Sequence, residues 1–212
     1  MVTPSRAFGD SHEEFLALNL PEWLIDDLPL LPTRLETAEE RMALVNRLAA
    51  RNYVEGNGGP FAALVADRQT GELISVGVNV VLSSGIAAAH AEFMALSLAQ
   101  AEVGSWDLGA DRERELELVV NWRPCVMCYG STLWSGIRYL VVAGSGPELE
   151  QLTGFDEGPM RDDWAEQFEA RGISVTQNVG RDDALAVFAA YGASSAVVYN
   201  ARGGDGVVIP GA

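Results

Sequence analysis

The chain is poor in three things that commonly build reactive or binding sites: positive charge, cysteine and histidine. Fourteen basic residues stand against 30 acidic ones in 212 residues, a formal net charge of −16. Such a field repels phosphate backbones and anionic lipid, and no Lys/Arg cluster opposes it, which argues against nucleic acid or a membrane surface as partner. No apolar run approaches the roughly 18 residues that span a bilayer, and the N-terminus lacks the basic start and apolar centre of a signal peptide. A cytoplasmic protein is the expectation. The two cysteines, Cys125 and Cys128, lie three positions apart. They are poor material for a disulfide framework and better suited to metal or redox chemistry.

What is present is ordinary core material, 48% hydrophobic against 21% charged, enough for one domain with extra segments rather than two domains. Residues 1–33 carry Pro4, Pro21, Pro29 and Pro32 and read as an irregular arm that wraps a surface with its Leu and Trp. Thr37 and Glu40 form a capping-box pattern before a helical run that ends at 52–59. Two strands, 61–67 and 72–81, follow with a hairpin connection, then the loop "LSSGIAA" and a buried helix beginning at "AHAEF". "ELELVVNW" reads as a strand, "CVMCYGSTLWSG" as a short helix and "IRYLVVAG" as a strand. A helix around 160–171, a strand at "ISVTQ" and a helix over "DDALAVFAAYG" complete an α/β layered order. The expected divisions are an arm at 1–33, a catalytic domain at 34–202 and a flexible tail at 203–212.

A lone histidine on an apolar face is ordinarily a core residue, and C-x-x-C alone also fits a thioredoxin-like dithiol. Taken together, His90, Cys125 and Cys128 offer one imidazole and two thiolates, a soft set that zinc prefers. Three protein ligands leave the fourth tetrahedral position for water or hydroxide. Pro124 suits the start of a helix whose N-terminus favours thiolates. Glu92, two residues after His90, can reach a zinc-activated water without binding the metal, and so can carry protons. The pattern H-x-E with a later P-C-x-x-C, here His90-Ala91-Glu92 and Pro124-Cys125-Val126-Met127-Cys128, is the signature of zinc-dependent base deaminases.

On these motifs the sequence resembles the cytidine deaminase-like superfamily. Within it, the chain is similar to bacterial guanine deaminases, including those that accept ammeline, through "GGPFAALV", "VGVNVV", "AAAHAEFMALSLAQ", "PCVMCYGSTLWSGIRYLV", "GFDEGP" and "YNAR". The resemblance implies a three-layer α/β/α sandwich around a mixed five-stranded sheet, a homodimer, and one zinc per subunit on His90, Cys125 and Cys128. It implies Glu92 as proton shuttle, Asn79 as hydrogen-bonding partner of the base, Phe61 as its stacking partner, and Ala91 as a further contact. In "GFDEGP" it implies Glu157 as a second catalytic carboxylate and Phe155 as a pocket wall. Read from the residues alone, Asn79 is also a strand-end turn residue, Phe61 a core aromatic and Glu157 part of a solvated acidic loop.

One departure stands out: the family usually has Glu before the Pro-Cys pair, whereas this chain has Trp122 and Arg123. The expected reaction is hydrolytic removal of an exocyclic amine from a small heterocyclic base, guanine to xanthine first. Ammeline, a nucleoside, cytosine and a pterin-like ring are the alternatives within the class, and a non-catalytic zinc-binding assembly module is the alternative outside it.

Overall fold

The structure, a computed structural model, describes residues 17–201. The first 16 residues of the expected arm, with His12, and the expected tail lie outside the described residues. The arm is less irregular than its prolines suggest. Pro21 caps α1 (Glu22–Asp27), and Pro29 sits in the first turn of a 3-10 segment, Leu28–Leu30. Both are helix-start positions, where a missing N–H costs nothing.

Thr37 opens α2 (Ala38–Val54), with the full capping box to Glu40 in place. The hairpin β1 (Ala62–Asp67) and β2 (Leu73–Val78) is antiparallel. The second strand is shorter than expected because Asn79 turns out of it. Part of the expected loop coils into α3 (Val81–Ser84) instead, started by the Val81 N–H donating to Asn79 Oδ1 at 3.2 Å. Then come α4 (Ala91–Val103), β3 (Leu116–Val120), α5 (Val126–Trp134) and β4 (Tyr139–Val142). The remaining elements are α6 (Glu148–Thr153), α7 (Trp164–Glu169), β5 (Ser174–Thr176) and α8 (Arg181–Gly192).

The five strands lie in the order β2-β1-β3-β4-β5, antiparallel on the β2 side and parallel from β3 to β5. Period-two alternation sorts their side chains onto two faces. Leu64, Ala66, Val119 and Val141 meet α2 and α8 through Met42, Val45, Leu48 and Phe188. On the other face Val65, Leu118, Leu140 and Val142 meet α4 and α7 through Ala95, Leu96, Ala99 and Phe168. The result is the expected three-layer α/β/α sandwich with a mixed sheet.

Candidate active site

Register brings the site residues together. Ala62 pairs with Val78 and Ala63 with Val120, so the start of β1, the end of β2 and the end of β3 meet at one edge. Phe61, Asn79 and the "NWRPC" turn leave the sheet there. Asn121, fully buried, ties the junction by accepting from the Ala62 N–H at 3.2 Å and donating to Pro60 O at 2.9 Å. This is the carboxyl end of a parallel strand pair, where open α/β sheets place their ligands.

Two helices point their N-termini at this edge. His90 is the N-cap residue of α4 and Cys125 that of α5, both extended, with Cys128 one turn into α5. His90 Nδ1 lies 3.5 Å from Cys125 Sγ and 3.6 Å from Cys128 Sγ. Zinc–nitrogen and zinc–sulfur bonds of about 2.1 and 2.3 Å at a tetrahedral angle put N and S about 3.6 Å apart. The donor set therefore has the size and chemistry of a zinc site. It is also the group of potential metal ligands that stands together among the described residues, all donor atoms within 4.8 Å of one another.

The electrostatics follow from crowding and burial. Cys125 is brought down to about 4, first by a hydrogen bond with Cys128, against its burial, and further by His90. Cys128 moves the opposite way, raised by that same hydrogen bond and by burial. Burial pulls His90 down, but its hydrogen bond to Cys125 and the charge of Glu92 outweigh that and hold it at about 9. Glu92, buried, is raised by desolvation and then by the Cys125 charge. Glu157 is raised to about 8 by burial and by Cys125 and Glu92, while His90 and Arg123 pull against the rise. Two carboxyls with displaced proton affinities beside one donor set form the arrangement acid–base chemistry requires.

Phe61, His90, Glu92, Val120, Trp122, Arg123 and Glu157 line one small, partly open chamber of about 20 Å³. The sequence-expected Phe61 and Glu157 thus stand with His90 and Glu92; Glu157 is half-buried there although its neighbours Gly154, Asp156 and Pro159 are exposed. Phe155 is buried and packs on Phe61 with centroids 5.5 Å apart, behind the chamber wall. Ala91 is the buried first residue of α4. Asn79 is 2% exposed and lies beside the chamber rather than on its lining.

Sequence reasoning assigned no role to Tyr199. Its hydroxyl accepts from the Gly59 N–H at 2.8 Å and donates to Asn79 Oδ1 at 2.7 Å. Because Val81 N–H can only donate, the Asn79 atom it meets must be oxygen, which leaves the Asn79 Nδ2 hydrogens free. No spacing rule connects positions 79 and 199, so only the folded chain reveals this pair.

Residues 35–144 match the model of the cytidine and deoxycytidylate deaminase zinc-binding region, and the chain belongs to that family. A solved guanine deaminase from Nitrosomonas europaea superposes with a TM-score of 0.81 at 42% identity, over 87% of this chain and all of that one. A solved complex with 2,6-diaminopurine gives a TM-score of 0.79 at 45% identity, over 88% of this chain and 97% of that one. The guanine deaminase of Bacillus subtilis is 30% identical over 110 residues, which make up 52% of this chain and 65% of that relative. None of the helices among the described residues is long and apolar enough to cross a membrane.

Proposed function

We propose that the chain is a zinc-dependent aminohydrolase of a free purine-like base, converting guanine and water to xanthine and ammonia. The observation that carries this reading is the zinc-sized N/S/S donor set, whose His90 lines the chamber that also holds Glu92 and Glu157. His90, Cys125 and Cys128 would hold the ion, with the fourth ligand a water or hydroxide. When bound, zinc supplies the Lewis acidity that makes water a nucleophile near neutral pH.

The chain's own residues do the rest. Glu92 takes the proton of the attacking water and returns it to the ring nitrogen beside the amine-bearing carbon. Glu157 hands a proton to the departing amine and takes one back from the hydroxyl left on the ring carbon. Phe61 stacks on the ring, Phe155 backs Phe61, Asn79 offers its amide hydrogens, and Ala91 offers its backbone at the helix start. The chamber is far smaller than the roughly 300 Å³ of ordinary ligand pockets. The domain limits are 34–202, with the arm and tail as additions. The exposed apolar residues Val126, Met127 and Trp134 on α5 support a homodimer that covers them, and the composition supports a cytoplasmic setting.

The test is ammonia release by zinc-loaded protein from guanine, ammeline, cytosine, guanosine and a pterin. Guanine is expected to give the highest kcat/KM. Zinc-loaded protein that releases ammonia from none of them would overturn the reading in favour of an assembly module. Glu92→Gln should keep its zinc and lose about a hundredfold or more in kcat.

A further inference from the structure

Arg123 is the charged residue of the chamber for which the reaction above has no use. It stands where the family usually carries an acid, and its backbone is fixed on both sides. The Arg123 N–H donates to Gly144 O at 2.8 Å, Pro124 restricts Arg123 to extended conformations, and the preceding Trp122 is buried with Nε1 bonded to Gly146 O at 3.1 Å. Arg123 lines the chamber with His90, Glu92 and Glu157, and its charge reaches Glu157. Even so, among the described residues the guanidinium joins no ion pair. Nε is buried without a hydrogen-bond partner.

A buried guanidinium N–H without an acceptor is costly, and the cost is relieved when a ligand brings the acceptor. The planar fork of arginine matches a carbonyl oxygen and an adjacent ring nitrogen on one edge of a heterocycle, the pairing by which arginine reads guanine elsewhere. We infer that Arg123 is a specificity-determining residue: its guanidinium receives the oxo edge of the substrate ring and selects aminated oxo-heterocycles over rings bearing hydrogen or an amine at that position. This rests on the deaminase reading and names the feature by which the site recognises its substrate. A ring with an amine there would set donor against donor, and one with hydrogen would leave the fork unpaired.

The experiment compares guanine, 2-aminopurine and 2,6-diaminopurine as substrates of zinc-loaded wild type, Arg123→Met and Arg123→Lys, with zinc content and circular dichroism measured for each. The expected result is a fall of about tenfold or more in the guanine to 2-aminopurine ratio of kcat/KM in both variants, because lysine keeps the charge but not the fork. Calorimetry should show 8-azaguanine binding weakened by a similar factor, with 2-aminopurine binding unchanged. If all three substrates lose activity in parallel, Arg123 serves only the charge balance of Glu157. The assignment is then overturned while the deaminase reading stands. Absence of turnover by zinc-loaded wild type overturns the deaminase reading; in that event equal 8-azaguanine affinities in wild type and variants overturn the role of Arg123 as well. Should Arg123→Met fail to fold, Arg123→Lys alone decides.

Discussion

At the scale of single residues, the site depends on which atom each polar side chain turns inward. Asn79 is the clearest instance, since Val81 and Tyr199 hold its oxygen and leave its N–H donors free. Tyr199→Phe removes the donor to Asn79 and strands the Gly59 N–H, which together cost about 1–3 kcal/mol. The amide then loses its fixed orientation. The expected outcome is a raised KM with kcat for bound substrate largely retained, read from steady-state kinetics. A fall in kcat at constant KM would instead place Tyr199 in the chemistry. The gathering of His90, Cys125 and Cys128, with Glu92 beside them, was legible in the sequence because zinc-type chemistry restricts residue type and spacing within two short motifs. Tyr199 was not, because its partners are 140 and 120 positions away.

At the scale of elements, two helix N-termini must hold their caps at a fixed separation, and close packing of helix on sheet does this. In β2, a Cβ added at Gly77 would stand 2.4 Å from Ala95 N and 2.5 Å from Ala91 O, so α4 can approach only because the strand has no side chain there. Gly77→Ala should push α4 outward, cost about 1–3 kcal/mol by overpacking, and weaken zinc binding by moving His90 away from the cysteines. Urea denaturation and competition with a chromogenic chelator would measure the two effects. An equal loss of stability with unchanged zinc affinity would mean that α4 tilts about its N-terminus and spares the site. Most elements were readable because amphipathic period and caps agree, as at Thr37. The short α6 escaped notice although its punctuation is present: Pro147 before it, Glu148 and Glu150 in the first turn, and Gly154 in the left-handed conformation after it. Six residues hold too few turns for periodicity to register, and tertiary contact with α8 stabilises it. The arm's helical turns escaped for a related reason, because prolines at helix starts look like breakers until the start is known.

At the scale of the whole molecule, a buried ion pair ties β3 to α2, apart from the two helices, α4 and α5, that carry the donor set. Glu117 projects from β3 toward α2, where Arg41 Nε approaches its Oε1 at 2.5 Å with both side chains about 5% exposed or less. Arg41 Nη1 also donates to Leu35 O at 2.6 Å, and Leu35 N–H in turn donates to Gly71 O. One buried cation therefore joins α2, the central strand and the segment that leads into α2, in a chain of −16 net charge. Burial raises the proton affinity of Glu117 and Arg41 opposes the rise, so the pair is held by desolvated charge rather than by solvent-exposed attraction. Arg41→Ala leaves Glu117 alone in the interior and should cost about 3–5 kcal/mol, whereas Arg41→Met with Glu117→Leu removes both charges and should come within about 1 kcal/mol of wild type or exceed it. Neither change touches α4 or α5, so zinc should stabilise wild type and both variants by the same amount, about 4 kcal/mol at a free-ion concentration a thousandfold above Kd. Urea titrations with and without chelator test this directly. Equal zinc increments mean that the ion pair and the donor set act independently, as well-separated sites do. An increment that shrinks in Arg41→Ala would mean that strain in β3 reaches the Cys125 turn at its end, and that the buried pair helps to set the metal geometry.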